Sequence, residues 1–266
     1  MNGPKTLEQA EDNWHTTMGA APPGKPILYR GKDMFADLHD ISWFKLIMFG
    51  ITGRDFTDNQ IKLFEAIQVI TVSYPEPRLW NNRIASLSGT ARSTGILGTT
   101  AALASSEAKI FGNQANILAI DFIRRAKDAI KNSKDMPDFV LKDLKKNRAI
   151  SGYGRPLLNT DERIKPLLNR AKKLGLADGP HVALAFKIGD FLSSSRYKLI
   201  LNASGLSAAL MADQGFNHRE YYYATMLAFS AGIIPCQIDA ANQKEGTFFP
   251  LSCNRLNYTG KNIRNW

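Results

Sequence analysis

At 266 residues the chain is long enough to bury one large core or two smaller ones. With 44% hydrophobic and 22% charged residues it is neither disordered nor fibrous in composition, and no apolar run is read as reaching the ~20 residues of a membrane span. The 34 basic residues outnumber the 24 acidic ones, and the formal charge of +10 points to an anionic partner.

Residues 1–30 read as an irregular lead-in with a first helix capped by Thr6 and Gln9. The opening MNGPKTLEQAEDNW lacks the basic-then-apolar order of a signal peptide, so a cytoplasmic setting is expected. Ile41 to Phe49 is apolar almost all round, which predicts a buried helix ended by Gly50 and Gly53. A second helix starts at Thr57, where Gln60 completes a capping box, and carries Ile61, Phe64, Ile67 and Ile70 at helical spacing. Pro75 and Pro77 break Ser73–Trp80 into a loop. From Ala85 to Ser106 small residues dominate. Such a helix lets neighbouring backbones approach closely and suits the middle of a bundle or a subunit interface. Gln114–Lys131 is amphipathic, with Ile117, Ile120, Ile123 and Ile130 on one side. Asn132–Asn147 reads as a charged linker marked by a proline.

Ser151–Arg163, SGYGRPLLNTDER, is the stretch with the most chemistry. Gly152 and Gly154 let backbone N–H groups approach a ligand, and Arg155 and Arg163 offer forked donors to carboxylate or phosphate. Helices follow at about 164–174, 181–195, 203–213 and 218–232, the last capped by Asn217 with Glu220. The tail from Thr247 to Trp266 is aromatic and basic without helical period. The predicted fold class is all-α.

The basic excess is scattered. Its densest run, Lys142–Arg148, has no interleaved aromatics, so a small polyanion is favoured over nucleic acid, and no membrane partner is expected. Cys236 and Cys253 make no disulfide framework, lack a neighbouring histidine, and with His15, His39, His181 and His218 form no zinc spacing. No metal is expected. His39 reads as a cap or surface residue, His181 as structural, and His218 as a first-turn residue where the helix dipole disfavours its charge. Tyr221, Tyr222 and Tyr223 span successive helix faces and mostly pack.

Taken in order, these pieces resemble the citrate synthase family in its short form, near the citryl-CoA lyase module of ATP citrate lyase. RGKDMFADLHDISWFKLIMFGITG and FTDNQIKLFEAIQVI look like the family's early helices, and ARSTGILGTTAAL like its central packing helix. ISGYGRPLLNTDERIKPLL looks like its glycine loop, LILNASGLSAALM like its N-V-D segment, and PLSCNRLNYTG like its C-terminal R-P-R segment. The resemblance implies a two-lobed helical fold, with residues 1–112 and 225–266 as the large domain and 113–224 as the small one. It further implies a homodimer, and a cleft that closes on an acyl-CoA and an oxoacid. CoA enters as a thioester substrate, and no tightly bound cofactor is expected.

Residue by residue, the resemblance leaves the family's catalytic groups missing. Its enol-stabilising histidine falls at or near Phe111, its carbonyl-polarising histidine on Arg155, and its carboxylate base on Ser204. Phe111 donates no hydrogen bond, and Ser204 is a weak base. The anion grip is retained: Arg163 and Arg255 match carboxylate-binding arginines, Arg155 adds a permanent cation, and Arg78, Arg83 and Arg92 add charge. For Arg83 and Arg92 an ion pair at a domain or dimer contact is the plainer reading. The backbone of Ser151, Gly152, Tyr153 and Gly154 falls where the family's loop faces the adenine end of CoA. A replacement base would come from Glu76, Asp161, Glu162 or a tyrosine. Two readings stay open: an acyl-CoA lyase or synthase with a rebuilt site, or an inactive homologue that binds CoA or a carboxylate as a sensor or partner subunit.

Overall fold

The computed structural model describes residues 3–12, 15–72, 74–109, 112–155, 160–247, 252–262 and 264. Phe111 lies outside them. Among the described residues the fold is all-α, apart from a small antiparallel sheet of two-residue strands: β1 (Gly19–Ala20), β2 (Leu28–Tyr29) and β3 (Lys32–Asp33). The helices are α1 (Gly3–Ala10), α2 (Trp43–Thr52), α3 (Asp58–Thr71), α4 (Trp80–Thr90), α5 (Gly95–Ser105), α6 (Asn113–Lys131) and α7 (Met136–Asn147). They continue as α8 (Ile164–Lys173), α9 (Pro180–Ser194), α10 (Ala203–Asp213), α11 (His218–Met226) and α12 (Ser230–Asn242). Contacts gather them into two units, Met1–Ile67 with Ile117–Ala224, and Gln68–Asn116 with Thr225–Trp266. The boundaries at 67, 116 and 224 differ from those at 112 and 224 drawn from the resemblance.

In the first unit, the capping box of α3 forms as expected. The Thr57 N–H donates to Gln60 Oε1 at 2.9 Å, and the Gln60 N–H donates back to Thr57 Oγ1 at 3.3 Å. This fixes the register that buries Ile61, Leu63, Phe64 and Ile67. Phe56, Phe64 and Phe216 then interlock, Phe56 stacking on Phe216 with centroids 5.5 Å apart and Phe64 meeting both edge-on. The Arg54 guanidinium lies over Phe56 and Phe216 and donates to the Gln214 carbonyl and to Glu220, both at 3.1 Å. Glu220 also closes the expected cap on α11, accepting the Asn217 N–H at 3.0 Å. Asp213, the last residue of α10, accepts the first-turn N–H groups of His181 and Val182 in α9 and the His181 ring nitrogen at 2.7 Å. That structural role for His181 is the one expected.

The second unit is built on α4, α5 and α12. Gly89 permits the close approach of α4 and α12: a Cβ there would stand 2.4 Å from the Gln237 carbonyl oxygen. Ala85, Ala102, Ile233 and Cys236 form its buried centre, where burial pushes the Cys236 thiol pKa up. Arg92 reaches the far end of α12, donating to the carbonyls of Ala241 and Gln243 and so satisfying acceptors a helix leaves open at its C-terminus.

Several expectations are corrected. The helix at 43–52 is not buried all round: only Met48 and Phe49 are, Trp43 is 74% exposed, and the end is set by Gly53 in a left-handed turn rather than by Gly50. The first helix begins ahead of Thr6. The small-residue stretch is two helices, because Arg92 adopts φ 59° and Thr94 caps a new start. Asn132–Asn147 is no linker, since Asp135 caps α7 and Pro137 stands in its first turn, where no N–H is needed. The helix expected over 218–232 runs on through a 3-10 turn to Asn242, giving 25 residues long and apolar enough to cross a membrane by length and composition. Its buried side, Gly232, Ile233, Cys236, Gln237 and Ala240, belongs to α12, which packs on α4 and α5.

Gly89→Ala is therefore expected to destabilise the protein by about 2 kcal/mol, as overpacking against backbone does. Urea unfolding of the two chains side by side measures it.

Candidate functional site

The glycine loop follows α7, whose end Arg148 closes in a left-handed turn at φ 59° by donating its N–H to Leu144. Gly152 and Gly154 have φ of 92° and 85°, values that side chains rarely adopt. Both are also short of space. A Cβ on Gly152 would stand 2.8 Å from Gly205 Cα, and one on Gly205 would stand 2.3 Å from the Gly152 carbonyl oxygen. Backbone therefore packs on backbone where the loop meets the first turn of α10. The Gly154 N–H donates to the Ile200 carbonyl at 2.6 Å, and the Asn202 N–H to the Gly152 carbonyl at 3.0 Å. Asn202 closes the clasp, its side chain donating to the Gly154 carbonyl at 2.8 Å and accepting the Gly205 N–H at 3.1 Å as the cap of α10. Tyr153 points inward: it is buried, and its hydroxyl donates to the Ala185 carbonyl at 3.0 Å. Burial pushes its pKa well above the ordinary phenol range. The Tyr153 N–H is spent as well, on the Ile150 carbonyl at 3.2 Å, so the N–H groups of Tyr153 and Gly154 are both engaged within the protein.

The two arginines of the motif meet the two acids of the same motif. Arg163 grips Asp161 with Nε and Nη2 at 2.8 and 2.7 Å. The Asp161 side chain is fully buried and also accepts the Ala203 N–H, at the start of α10, at 2.8 Å. Burial alone would raise the pKa of Asp161, but the Arg163 fork and the two amides outweigh it and hold it at about 2. Arg155 donates through both terminal nitrogens to the carboxylate of Glu162, and its Nη1 lies 3.5 Å from Asp161. Glu162, 68% exposed, is held at about 2 by that fork. Ser204 is half-buried in the first turn of α10, next to the residue whose N–H binds Asp161.

In the second unit Glu76 accepts the N–H of Arg78 at 2.9 Å and its Nε at 2.7 Å. The backbone donor first, and then the guanidinium, lower its pKa and weaken it as a base. Arg83 donates to the Arg78 carbonyl at 3.0 Å, and Arg255 is exposed in a short 3-10 turn. Among the described residues, no group of three or more His, Cys, Asp or Glu side chains could hold a metal ion.

Sequence reasoning overlooked a groove of about 940 Å³ in the first unit, between α7 and the end of α9. Leu141, Leu144, Phe191 and Leu199 give it an apolar floor, while Lys145, Arg148 and Arg196 give it three cations. Its described lining includes no carboxylate. Tyr197 stands on the rim, with the Arg196 guanidinium 5.0 Å over its ring. Leu199 joins groove to glycine loop, its Cδ2 lying 3.0 Å from where a Gly154 Cβ would be. The signal was in the sequence. Leu141, just ahead of the dense basic run, and Leu144, Lys145 and Arg148 within it follow helical spacing, and that spacing carries no meaning if the stretch is a linker.

If Asp161 is the keystone of this loop, its contribution must fade in acid. Its folded pKa lies below the unfolded value, so the stabilisation is full above about pH 4 and is lost as pH falls toward 2. Asp161→Asn is expected to cost about 2 kcal/mol at pH 7, and the gap from the parent chain should narrow on acidification. Urea midpoints at pH 7, 4 and 2.5 read this directly.

No family model and no curated protein sequence matches the chain. Solved structures do. Citryl-CoA lyase from Hydrogenobacter thermophilus superposes with a TM-score of 0.83 at 21% identity, covering 96% of this chain and 97% of that one. ATP citrate lyase from Methanosaeta concilii, solved with (3S)-citryl-CoA, gives 0.76 at 17% identity over 98% of this chain, which spans only 45% of that protein. Citrate synthase from Thermoplasma acidophilum, solved with carboxymethyl coenzyme A and oxaloacetate, gives 0.62 at 18% identity over 85% of this chain and 58% of that one.

Proposed function

Because the chain has a citrate synthase-like fold in its short, citryl-CoA lyase form, we propose that it acts on an acyl-CoA thioester and a di- or tricarboxylate, making or breaking a carbon–carbon bond. The observation that carries this reading is the groove joined to the glycine loop. Its apolar floor and rim tyrosine suit a nucleotide base, and Lys145, Arg148 and Arg196 suit its phosphates. Arg155 supplies a permanent cation for a carboxylate, or for the oxygen charge that develops as the bond forms or breaks. In the cleavage direction a base takes the proton of the tertiary hydroxyl, the bond electrons pass into the thioester enolate, and a proton then completes the acetyl group.

A second reading has an observation of its own. All three carboxylates offered as replacement bases are tied to an arginine: Glu76 to Arg78, Asp161 to Arg163 and Glu162 to Arg155. Each has a lowered pKa and is correspondingly weak as a base. That favours a homologue which binds CoA or a carboxylate without turning it over. Either form suits a homodimer, since the uncharged helix α5 buries only Gly98 and Ala102 and leaves Ile96 and Leu97 at 80% and 66% exposure.

Titration calorimetry with CoA, acetyl-CoA, oxaloacetate and citrate, paired with an assay for acetyl-CoA released from citryl-CoA, separates the two. Saturable CoA binding with turnover is expected of the enzyme, and binding without turnover means the sensor. No binding by any of the four ligands overturns both. Arg196→Ala and Arg148→Asn, whose new residue tolerates the left-handed turn, are each expected to weaken CoA binding about tenfold by removing a charged donor.

A further inference from the structure

Taking the carboxylate-binding reading as its basis, we propose that Glu162 is a resident competitor: its side chain occupies the Arg155 fork and leaves when a ligand carboxylate takes its place. The two ion pairs of the loop are built differently. Asp161 is fully buried, holds Arg163 with both oxygens and accepts the Ala203 N–H, so its departure would open the start of α10. Glu162 is 68% exposed, and its carboxylate meets Arg155 and its own backbone N–H. Arg155 is 22% exposed and keeps Asp161 within 3.5 Å and the Thr160 carbonyl at 3.4 Å, so the guanidinium stays oriented once Glu162 swings away.

A bidentate pair presents a second carboxylate with the geometry already shaped for the first. The exchange replaces one ion pair by another, and an exposed pair is weak enough to be exchanged by a side-chain rotation alone. Arg163 cannot take this part, because its acid is fixed. Arg155 is therefore the cation that a ligand reaches, and Glu162 raises the concentration needed to reach it. A ligand with one carboxylate gains little by the exchange. One with two or three keeps its remaining charges for other cations, which favours di- and tricarboxylates.

Phenylglyoxal modification of the full-length chain, followed residue by residue by peptide mass spectrometry, tests the mask without a ligand. Arg155 is expected to react about fivefold faster in Glu162→Ala, and less so in Glu162→Gln, with Arg163 unchanged as internal reference, the factor being that of one exposed ion pair. Citrate titration of the same chains is expected to show correspondingly tighter binding in Glu162→Ala, lost again when Arg155→Gln is added. Equal Arg155 reactivity in parent and variants overturns the proposal, and so does weaker citrate binding in Glu162→Ala. Faster Arg155 modification with no citrate binding in any chain keeps the mask but overturns the carboxylate reading on which its purpose rests.

Discussion

A carboxylate taken fully out of water must be met by donors on nearly every side, and Asp161 shows how much chain that requirement organises. Its donors are the Arg163 fork, the Arg163 N–H and the Ala203 N–H at the head of α10. They tie the residue to both sides of one junction. Beside it, Gly152 and Gly205 touch backbone to backbone, and Asn202 clasps Gly154. Remove the acid and a guanidinium and a helix start lose their partner together, which is why an interior charge is costlier to break than to keep. The groove inherits this rigidity through Leu199.

The chain is strongly basic, yet its arginines are not one undifferentiated field. Arg54 is spent on two aromatic rings and a carbonyl, Arg92 on the end of a helix, Arg163 on a buried acid. Others face solvent, among them the three cations of the groove. Net charge alone could not have picked these out, because it counts the structural guanidiniums equally.

The parts of the fold legible in sequence are those whose physics is local. Two of the three expected caps, Thr57 with Gln60 and Asn217 with Glu220, lie within four residues and form as expected, while Thr6 falls inside the first helix. The glycines of the loop were legible for the same reason. What could not be read were decisions made elsewhere in the chain. Arg92 takes a left-handed turn that nothing in its side chain announces, and so the small-residue stretch breaks in two. Pro137 reads as a breaker until Asp135 is seen capping the helix it opens. At the candidate site two of the residues named from sequence take another part in the structure: Asp161 and Glu162, weighed as bases, are paired with the arginines beside them. Their neighbours in sequence were visible, but which acid was buried and which was not depended on the packing around α10.

Helix α10 holds a position that links its two ends. At its head it gives an N–H to Asp161, and at its tail Asp213 accepts the first-turn N–H groups of α9, with a Gly179 that has no room for a side chain: a Cβ there would stand 2.0 Å from the Asp213 carboxylate. Axial sliding by even a fraction of a turn would break bonds at both ends at once, and neither end can be refilled by water without exposing a buried acid. The helix is in effect a bolt shot through this unit. Packed helices commonly accommodate ligands by small shear displacements, but here that route is closed at α10, so whatever this part of the molecule does in answer to a ligand must be done by side chains turning on a fixed frame.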